Sequence, residues 1–107
     1  MQVYDSVLDL IGNTPIVRVN HLDTGSCSLY IKLENQNPGG SIKDRPAFNI
    51  LRTSLANCEL VPGRRLLDST SGNMGIAYTT FGAAMDVPVT LVLPANASLE
   101  RIAILRA

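Results

Sequence analysis

Charge is scarce in this sequence and neither sign is in excess: charged residues make up 17% of its 107 positions and the formal net charge is +0. A nucleic-acid binder would carry a basic stripe to meet the phosphates, and none is present. Long apolar runs are also missing, since no segment approaches the roughly 20 residues that cross a bilayer. The opening Met1-Gln2-Val3-Tyr4-Asp5 lacks the basic and apolar parts of a signal peptide. The expected address is therefore cytoplasmic, with neither nucleic acid nor membrane as a partner. Cysteine is limited to Cys27 and Cys58, without CxxC spacing, so a metal knuckle or redox pair is not indicated. Two separate reduced thiols are the favoured reading, and a single disulfide between them is the other. His21 is the sole histidine, in a polar stretch before Asp23-Thr24-Gly25, which suits a surface role and leaves no metal site to expect.

Internal repeats, low-complexity tracts and linkers are absent too, and turn residues at short intervals argue for one continuous domain. Val3 to Ile11 reads as a short opening helix stopped by Gly12, and Pro15-Ile16-Val17-Arg18-Val19 turns into a strand. Ser28 to Glu34 alternates Leu29, Ile31 and Leu33 with Tyr30 and Lys32, the period of a strand with one more polar face. A helix is predicted from about Asp44, carrying Ala47, Ile50, Leu51, Ser54 and Leu55 at helical spacing, with Pro46 in its first turn and Asn57-Cys58 at its end. Arg65 to Ser69 reads as a strand, and a helix starts near Asn73 with Ala77, Phe81, Ala84 and Met85 on one face. Its small residues Gly75, Ala77, Gly82, Ala83 and Ala84 allow a sheet to approach closely. Val89-Thr90-Leu91-Val92-Leu93 is a largely apolar run, of the kind found in strands buried on both faces of a parallel sheet. Ser98 caps a last helix, Leu99 to Arg106, whose Leu99, Ile102, Ala103 and Leu105 face a core. The alternation of strand and helix after residue 28 points to an α/β fold with parallel strands and right-handed crossovers.

Two loops carry residues capable of chemistry. In Asn37-Pro38-Gly39-Gly40-Ser41-Ile42-Lys43-Asp44-Arg45, a strand end, two glycines and a helix start place one lysine at the carboxyl edge of the sheet, where open α/β sheets bind ligands. The positive end of the helix dipole and partial burial both favour the uncharged amine that Schiff-base chemistry needs. A solvated lysine in a glycine-rich connection is the plain alternative. The second loop, Asp68-Ser69-Thr70-Ser71-Gly72-Asn73-Met74-Gly75, again follows a strand and opens a helix. Backbone N–H groups there, with two hydroxyls and an amide, suit a carboxylate or phosphate, although N-capping by Ser71 or Asn73 accounts for the same residues. Both loops are expected at the same end of neighbouring strands, so that an amine and an anion cradle would face one crevice.

These residues resemble the cysteine synthase and cystathionine β-synthase family of pyridoxal-phosphate (PLP) enzymes, related in fold to tryptophan synthase β. The likeness runs along nearly the whole chain, through Ile11-Gly12-Asn13-Thr14-Pro15, Lys32-Leu33-Glu34, the run Asn37 to Arg45, and Thr70-Ser71-Gly72-Asn73 before Gly75. The resemblance implies a three-layer α/β fold with a mainly parallel sheet. It also implies that Lys43 holds PLP as a Schiff base and later moves the substrate's α-proton, that Asn73 hydrogen-bonds the cofactor's 3′-oxygen, and that Thr70, Ser71, Gly72 and the position of Met74 meet the substrate's α-carboxylate. The implied reaction is β-replacement on O-acetylserine or O-phosphoserine, with sulfide giving cysteine, in a protein that is a homodimer when full length. Other β-replacements, such as cystathionine or diaminopropionate synthesis, use the same parts.

Two positions depart from the family's pattern. Met74 stands where threonine is common, exchanging a hydroxyl for a thioether. Asp68 stands where glutamate is frequent, read here as a strand-end carboxylate without a catalytic task. The family's glycine-rich phosphate loop has no counterpart in these residues, and the last helix ends on Arg106-Ala107 without a capping glycine. Residues 1–107 are thus expected to be the truncated N-terminal portion of a longer enzyme, inactive alone. The alternative is a naturally short, non-catalytic module that dimerises or binds a full-length relative.

Overall fold

The structure is a computed structural model that describes residues 1–70 and 72–107. In chain order its elements are a 3₁₀ turn at Val7–Leu10, strands β1 (Ile16–Val19) and β2 (Leu29–Lys32), a second 3₁₀ turn at Glu34–Gln36, helix α1 (Asp44–Ala56), β3 (Leu66–Ser69), α2 (Asn73–Ala84), β4 (Val89–Val92) and α3 (Leu99–Arg106). The expected opening helix is only one 3₁₀ turn. Ser6 caps it, its Oγ accepting from Leu8 N–H while Asp9 reaches back to Ser6 N–H, and Gly12 at φ +86° ends it.

The strands form two separate pairs. β1 and β2 are antiparallel, in register from Ile16 opposite Lys32 to Val19 opposite Leu29. β3 and β4 are parallel, from Leu66 beside Val89 to Ser69 beside Val92. The α/β class and its parallel layer are therefore present, but β2 does not join that layer as the sequence suggested. Its partner is its predecessor, reached through a short connection of polar and turn-forming residues, as antiparallel pairing permits. That hairpin stands away from the core: Ile16 is 62% exposed and Tyr30 57% exposed.

The core lies between α1 and α2. Ala47 and Leu51 of α1 and Ala77 and Phe81 of α2 are fully buried, with Tyr78 and Val87 nearly so. Ile50 and Leu55, placed on the same apolar stripe by sequence spacing, remain partly exposed, so α1 buries a narrower face than predicted. Packing of α2 on β4 depends on its glycines. A Cβ on Gly75 would sit 3.1 Å from Leu91 Cδ1, and one on Gly82 would lie 3.0 Å from the Val87 carbonyl and closer still to Val89. Ala83 and Ala84 face solvent and take no part.

Only one face of the β3–β4 pair is covered. Val89 and Leu91 turn toward α2, whereas Leu67 (68% exposed) and Val92 (55% exposed) lie on the open side. β4 is consequently not buried on both faces, as its largely apolar run implied; among the described residues no element covers that side. α3 starts at Ser98, whose Oγ accepts from Arg101 N–H, and packs on α2 through a narrow face that leaves Leu99 and Ile104 exposed.

Candidate functional site

The lysine loop is built on a polar network that joins three distant stretches of the chain. Glu34, in the turn after β2, accepts from Arg45 twice, at 2.7 Å from Nε and 3.0 Å from Nη2, and from Thr14 Oγ1 at 2.6 Å. Arg45 Nη2 also donates to Thr14 Oγ1 at 3.2 Å. The Asn37 side chain donates to the Glu34 carboxylate and carbonyl and accepts from Gly12 N–H at 2.8 Å. Hydrogen bonds from Arg45 and then Thr14 lower the Glu34 carboxyl from an ordinary 4.5 to about 2, and the Glu34 carboxylate in turn raises the Arg45 guanidinium. Asn13, at φ +47°, and Gly12 make the turn that brings Thr14 to this network.

Within this frame the loop closes on itself. Gly40 N–H donates to the Asn37 carbonyl at 2.8 Å, Gly39 N–H to Asp44 Oδ2 at 2.6 Å, and Lys43 N–H to Ser41 Oγ at 3.1 Å. Asp44 is fully buried, and burial, its largest cause, raises its carboxyl above the ordinary value against the lowering effect of Gly39 N–H. Lys43 immediately precedes α1, and its side chain is exposed. The partial burial foreseen for it is not found, because the residue points away from the α1–α2 core.

The chain has only two lysines, and the structure treats them differently. Lys32 Nζ donates to the Thr14 carbonyl at 2.8 Å and lies 4.0 Å from Glu34. Lys43 Nζ has no hydrogen bond or ion pair among the described residues, so its amine is available to a ligand.

The second loop leads from β3 into α2. Thr70 is half-buried and its Oγ1 accepts from Gly72 N–H at 3.2 Å. Gly72 is the N-cap of α2, with no side chain capping the helix. The Gly72 carbonyl accepts from Gly75 and Ile76 N–H, while the N–H groups of Asn73 and Met74 have no partner among the described residues. The Asn73 side chain is exposed at the helix start. Asn73, expected as a cap, is instead the first residue of this helix, and the capping expected of Ser71 lies outside the described residues. Met74 packs against the hydrophobic core, which explains a thioether at that position, and offers the site only its backbone. Asp68 accepts from Ser69 N–H at 2.7 Å and adds, after burial, to raising the Tyr78 hydroxyl, a local strand-end role.

The two loops do not end neighbouring strands, since β2 and β3 belong to different pairs. They come into relation through the helices they open, α1 and α2, which share one core. Lys43 and Asn73 are both exposed, and a cavity of about 560 Å³ lies elsewhere, between α2, β4 and the end of α3. Cys27 and Cys58 are free and exposed, and His21 is on the surface. Sequence reasoning passed over the Thr14–Glu34–Asn37–Arg45 network; its polar residues in three separate motifs were the available signal.

The family model described as pyridoxal-phosphate dependent enzyme matches residues 7–107. A cysteine synthase of Aquifex aeolicus is 44% identical over 107 residues, covering 96% of this chain and 33% of the relative. An O-ureido-L-serine synthase of Streptomyces lavendulae is 40% identical, covering all of this chain and 33% of its own length. Among solved structures, O-acetyl serine sulfhydrylase isoform 3 of Entamoeba histolytica superposes with a TM-score of 0.92 at 34% identity, over 98% of this chain and 33% of that one. The chain spans about a third of the length of the relatives it matches. With residues 7–107 matched by that family, the chain belongs to the pyridoxal-phosphate dependent enzymes.

Proposed function

We propose that residues 1–107 are the N-terminal portion of a PLP-dependent β-replacement enzyme that converts O-acetylserine or O-phosphoserine and sulfide to cysteine. The observation that carries this reading is the contrast between the lysines: Lys32 is tied to Thr14 and Glu34, and Lys43 stands free at the start of α1. A covalent cofactor lysine needs an amine without competing partners on a fixed backbone, and Lys43 has both. The donors present suit the group, with one free amine, an exposed amide at Asn73, and open N–H groups at the start of α2. When bound, PLP supplies an electron sink for the substrate's α-carbon.

In this reading Lys43 holds the cofactor and then takes the α-proton on its amine. Asn73 hydrogen-bonds the ring's 3′-oxygen and fixes its orientation. The hydroxyls of Thr70 and Ser71, with the backbone of Gly72, Asn73 and Met74, receive the substrate's α-carboxylate at the positive end of α2. Lys43 keeps that proton while the β-substituent leaves and sulfide takes its place, and then returns it to the α-carbon. Because Met74 offers no hydroxyl to the carboxylate, a different β-replacement remains the second reading, such as cystathionine or diaminopropionate synthesis. The full-length protein acts as a cytoplasmic homodimer in this account; no helix here is long and apolar enough to cross a membrane among the described residues.

The test is to incubate the purified chain with PLP and record the visible absorbance that a lysine-bound cofactor gives, beside Lys43→Ala. Wild type should develop the band and the variant should not; identical spectra would remove Lys43 from its role. Added O-acetylserine and sulfide should yield little or no cysteine from the 107 residues. Robust cysteine formation would show that the site needs nothing beyond them.

A further inference from the structure

Asp44 is a fully buried carboxylic acid next in sequence to Lys43, and the proposed chemistry gives it no part. One of its oxygens, Oδ2, accepts from Gly39 N–H at 2.6 Å, while Oδ1 is buried with no hydrogen-bond partner among the described residues. Such a group is costly to keep, because a buried polar atom without a partner loses its hydration and gains nothing back. Its surroundings are shaped to hold it. Gly39 lies so close that an added Cβ would stand 3.0 Å from Asp44 Cγ, and a carboxyl in the first turn of α1 faces the positive end of the helix. Burial raises its carboxyl while Gly39 N–H opposes that shift.

The bond from Gly39 to Asp44 encloses Gly40, Ser41, Ile42 and Lys43 in a single closed turn. Asn37 pins the start of the same loop, buried and bonded to Gly12, Glu34 and Gly40. Gly40, at φ +83°, makes a left-handed turn between these anchors. Without the Asp44 contact, the segment that sets where the Lys43 side chain begins is held by Asn37 at its far end, by the short-range bond from Lys43 N–H to Ser41 Oγ, and by the helix itself, with no tie from Gly39 across the turn.

We propose that Asp44 is a positioning residue for Lys43, its carboxyl latching Gly39 so that the lysine leaves the start of α1 from a fixed backbone. This deepens the reading of Lys43 as the cofactor lysine and rests on it, but the latch can be measured without cofactor. Amide hydrogen exchange would be followed by NMR in the full chain for wild type, Asp44→Asn and Asp44→Ala. Asparagine keeps a side-chain acceptor of the same size, which covers the case in which the alanine variant fails to fold. In Asp44→Ala, exchange at Gly39 and Lys43 should speed up on the order of tenfold, the scale of one charge-assisted hydrogen bond, with Leu51 in the α1 interior unchanged. Asp44→Asn should restore protection at both amides.

A second arm treats each protein with PLP and borohydride and maps the labelled lysine by mass spectrometry. Wild type should favour Lys43 over Lys32 several-fold, Asp44→Ala should lose most of that preference, and Asp44→Asn should regain it. Unchanged Lys43 exchange in Asp44→Ala, or equal loss of protection across all of α1, would overturn the latch. So would a labelling preference in Asp44→Ala equal to that of wild type. Wild type that labels Lys32 as readily as Lys43 would instead sink the cofactor-lysine reading, leaving the exchange data to decide the latch.

Discussion

The two loops that open α1 and α2 are built in opposite ways. The lysine loop is anchored by buried groups, Asn37 at one end and Asp44 at the other, with the Glu34–Arg45 pair behind them. In the loop before α2, among the described residues, Gly72 N–H donates to Thr70 Oγ1 and the first N–H groups of the helix are open. The difference follows what each is asked to do. An amine that must meet a cofactor atom gains from a fixed backbone, since small misplacement costs rate. A cradle for an anion must keep donors unspent until the ligand arrives.

The sharpest way to break this comparison is to add one methyl group to each loop. Gly39→Ala drives a Cβ into the buried Asp44 carboxyl, which has no room to retreat, so a loss of about 1–3 kcal/mol is expected from overpacking. Gly72→Ala meets nothing nearer than Thr70 Oγ1 at 4.0 Å and sits at φ −99°, open to any residue, so stability should stay within about 0.5 kcal/mol of wild type. Urea midpoints measure both. Equal losses would show that the two loops are alike in rigidity.

A change of pH tests the anchors in a different way. The Glu34 carboxyl titrates near 4.5 without its partners and near 2 in the fold, so its stabilisation is complete above 4.5 and disappears as pH falls toward 2. Asp44 has the opposite sign. Its folded value is raised above 3.8, so its contribution is present below that pH and is lost as pH rises through the folded value. Stability followed by urea denaturation from pH 6 to pH 2 should therefore fall in wild type over the Glu34 window and fall less steeply in Glu34→Gln. Asp44→Asn, relieved of the opposing group, should show the steeper acid loss. Parallel profiles for wild type and Glu34→Gln would mean that the Arg45 pair does not hold the loop. The cost of separating that pair is screened because Arg45 is itself partly exposed.

Much of this was legible from residue order. The starts of α1 and α3 followed from Pro46 in a first turn and from Ser98 as a cap, and the parallel pair followed from strand–helix–strand alternation. Lys43 and Asn73 were marked by motif and stand where chain meets helix. The antiparallel pairing of β2 was not legible, because a period-two pattern identifies a strand and says nothing of its neighbour. The largely apolar β4 suggested two covered faces, yet apolar composition records what a strand is suited to meet rather than what meets it in these residues. The Glu34 network was hidden because its members are far apart in sequence and each looks like an ordinary surface residue. Asp44 was read only as a helix start; its burial depends on Gly39 approaching closely, a tertiary fact.

The contrast between α1 and α2 is confined to where they begin; they end alike. Glu59 N–H donates to the Ser54 carbonyl and Cys58 N–H to that of Leu55, and the end of α2 repeats this with Val87 to Gly82 and Asp86 to Ala83. Both are the six-to-one and five-to-two pairs of a Schellman ending, with Cys58 at φ +57° and Asp86 at φ +54° in the place usually held by glycine. A side chain there is strained, and aspartate tolerates it better than cysteine. Cys58→Gly should therefore raise stability by up to about 1 kcal/mol, the strain relieved less the extra entropy of an unfolded glycine. Asp86→Gly should gain only a few tenths of a kcal/mol, flagged by the milder strain at aspartate. Both side chains are exposed, so little packing is lost with them. Thermal midpoints of the two variants decide the matter: a loss of stability in Cys58→Gly would show that the thiol holds something at the end of α1, and the two helices would then differ at both ends.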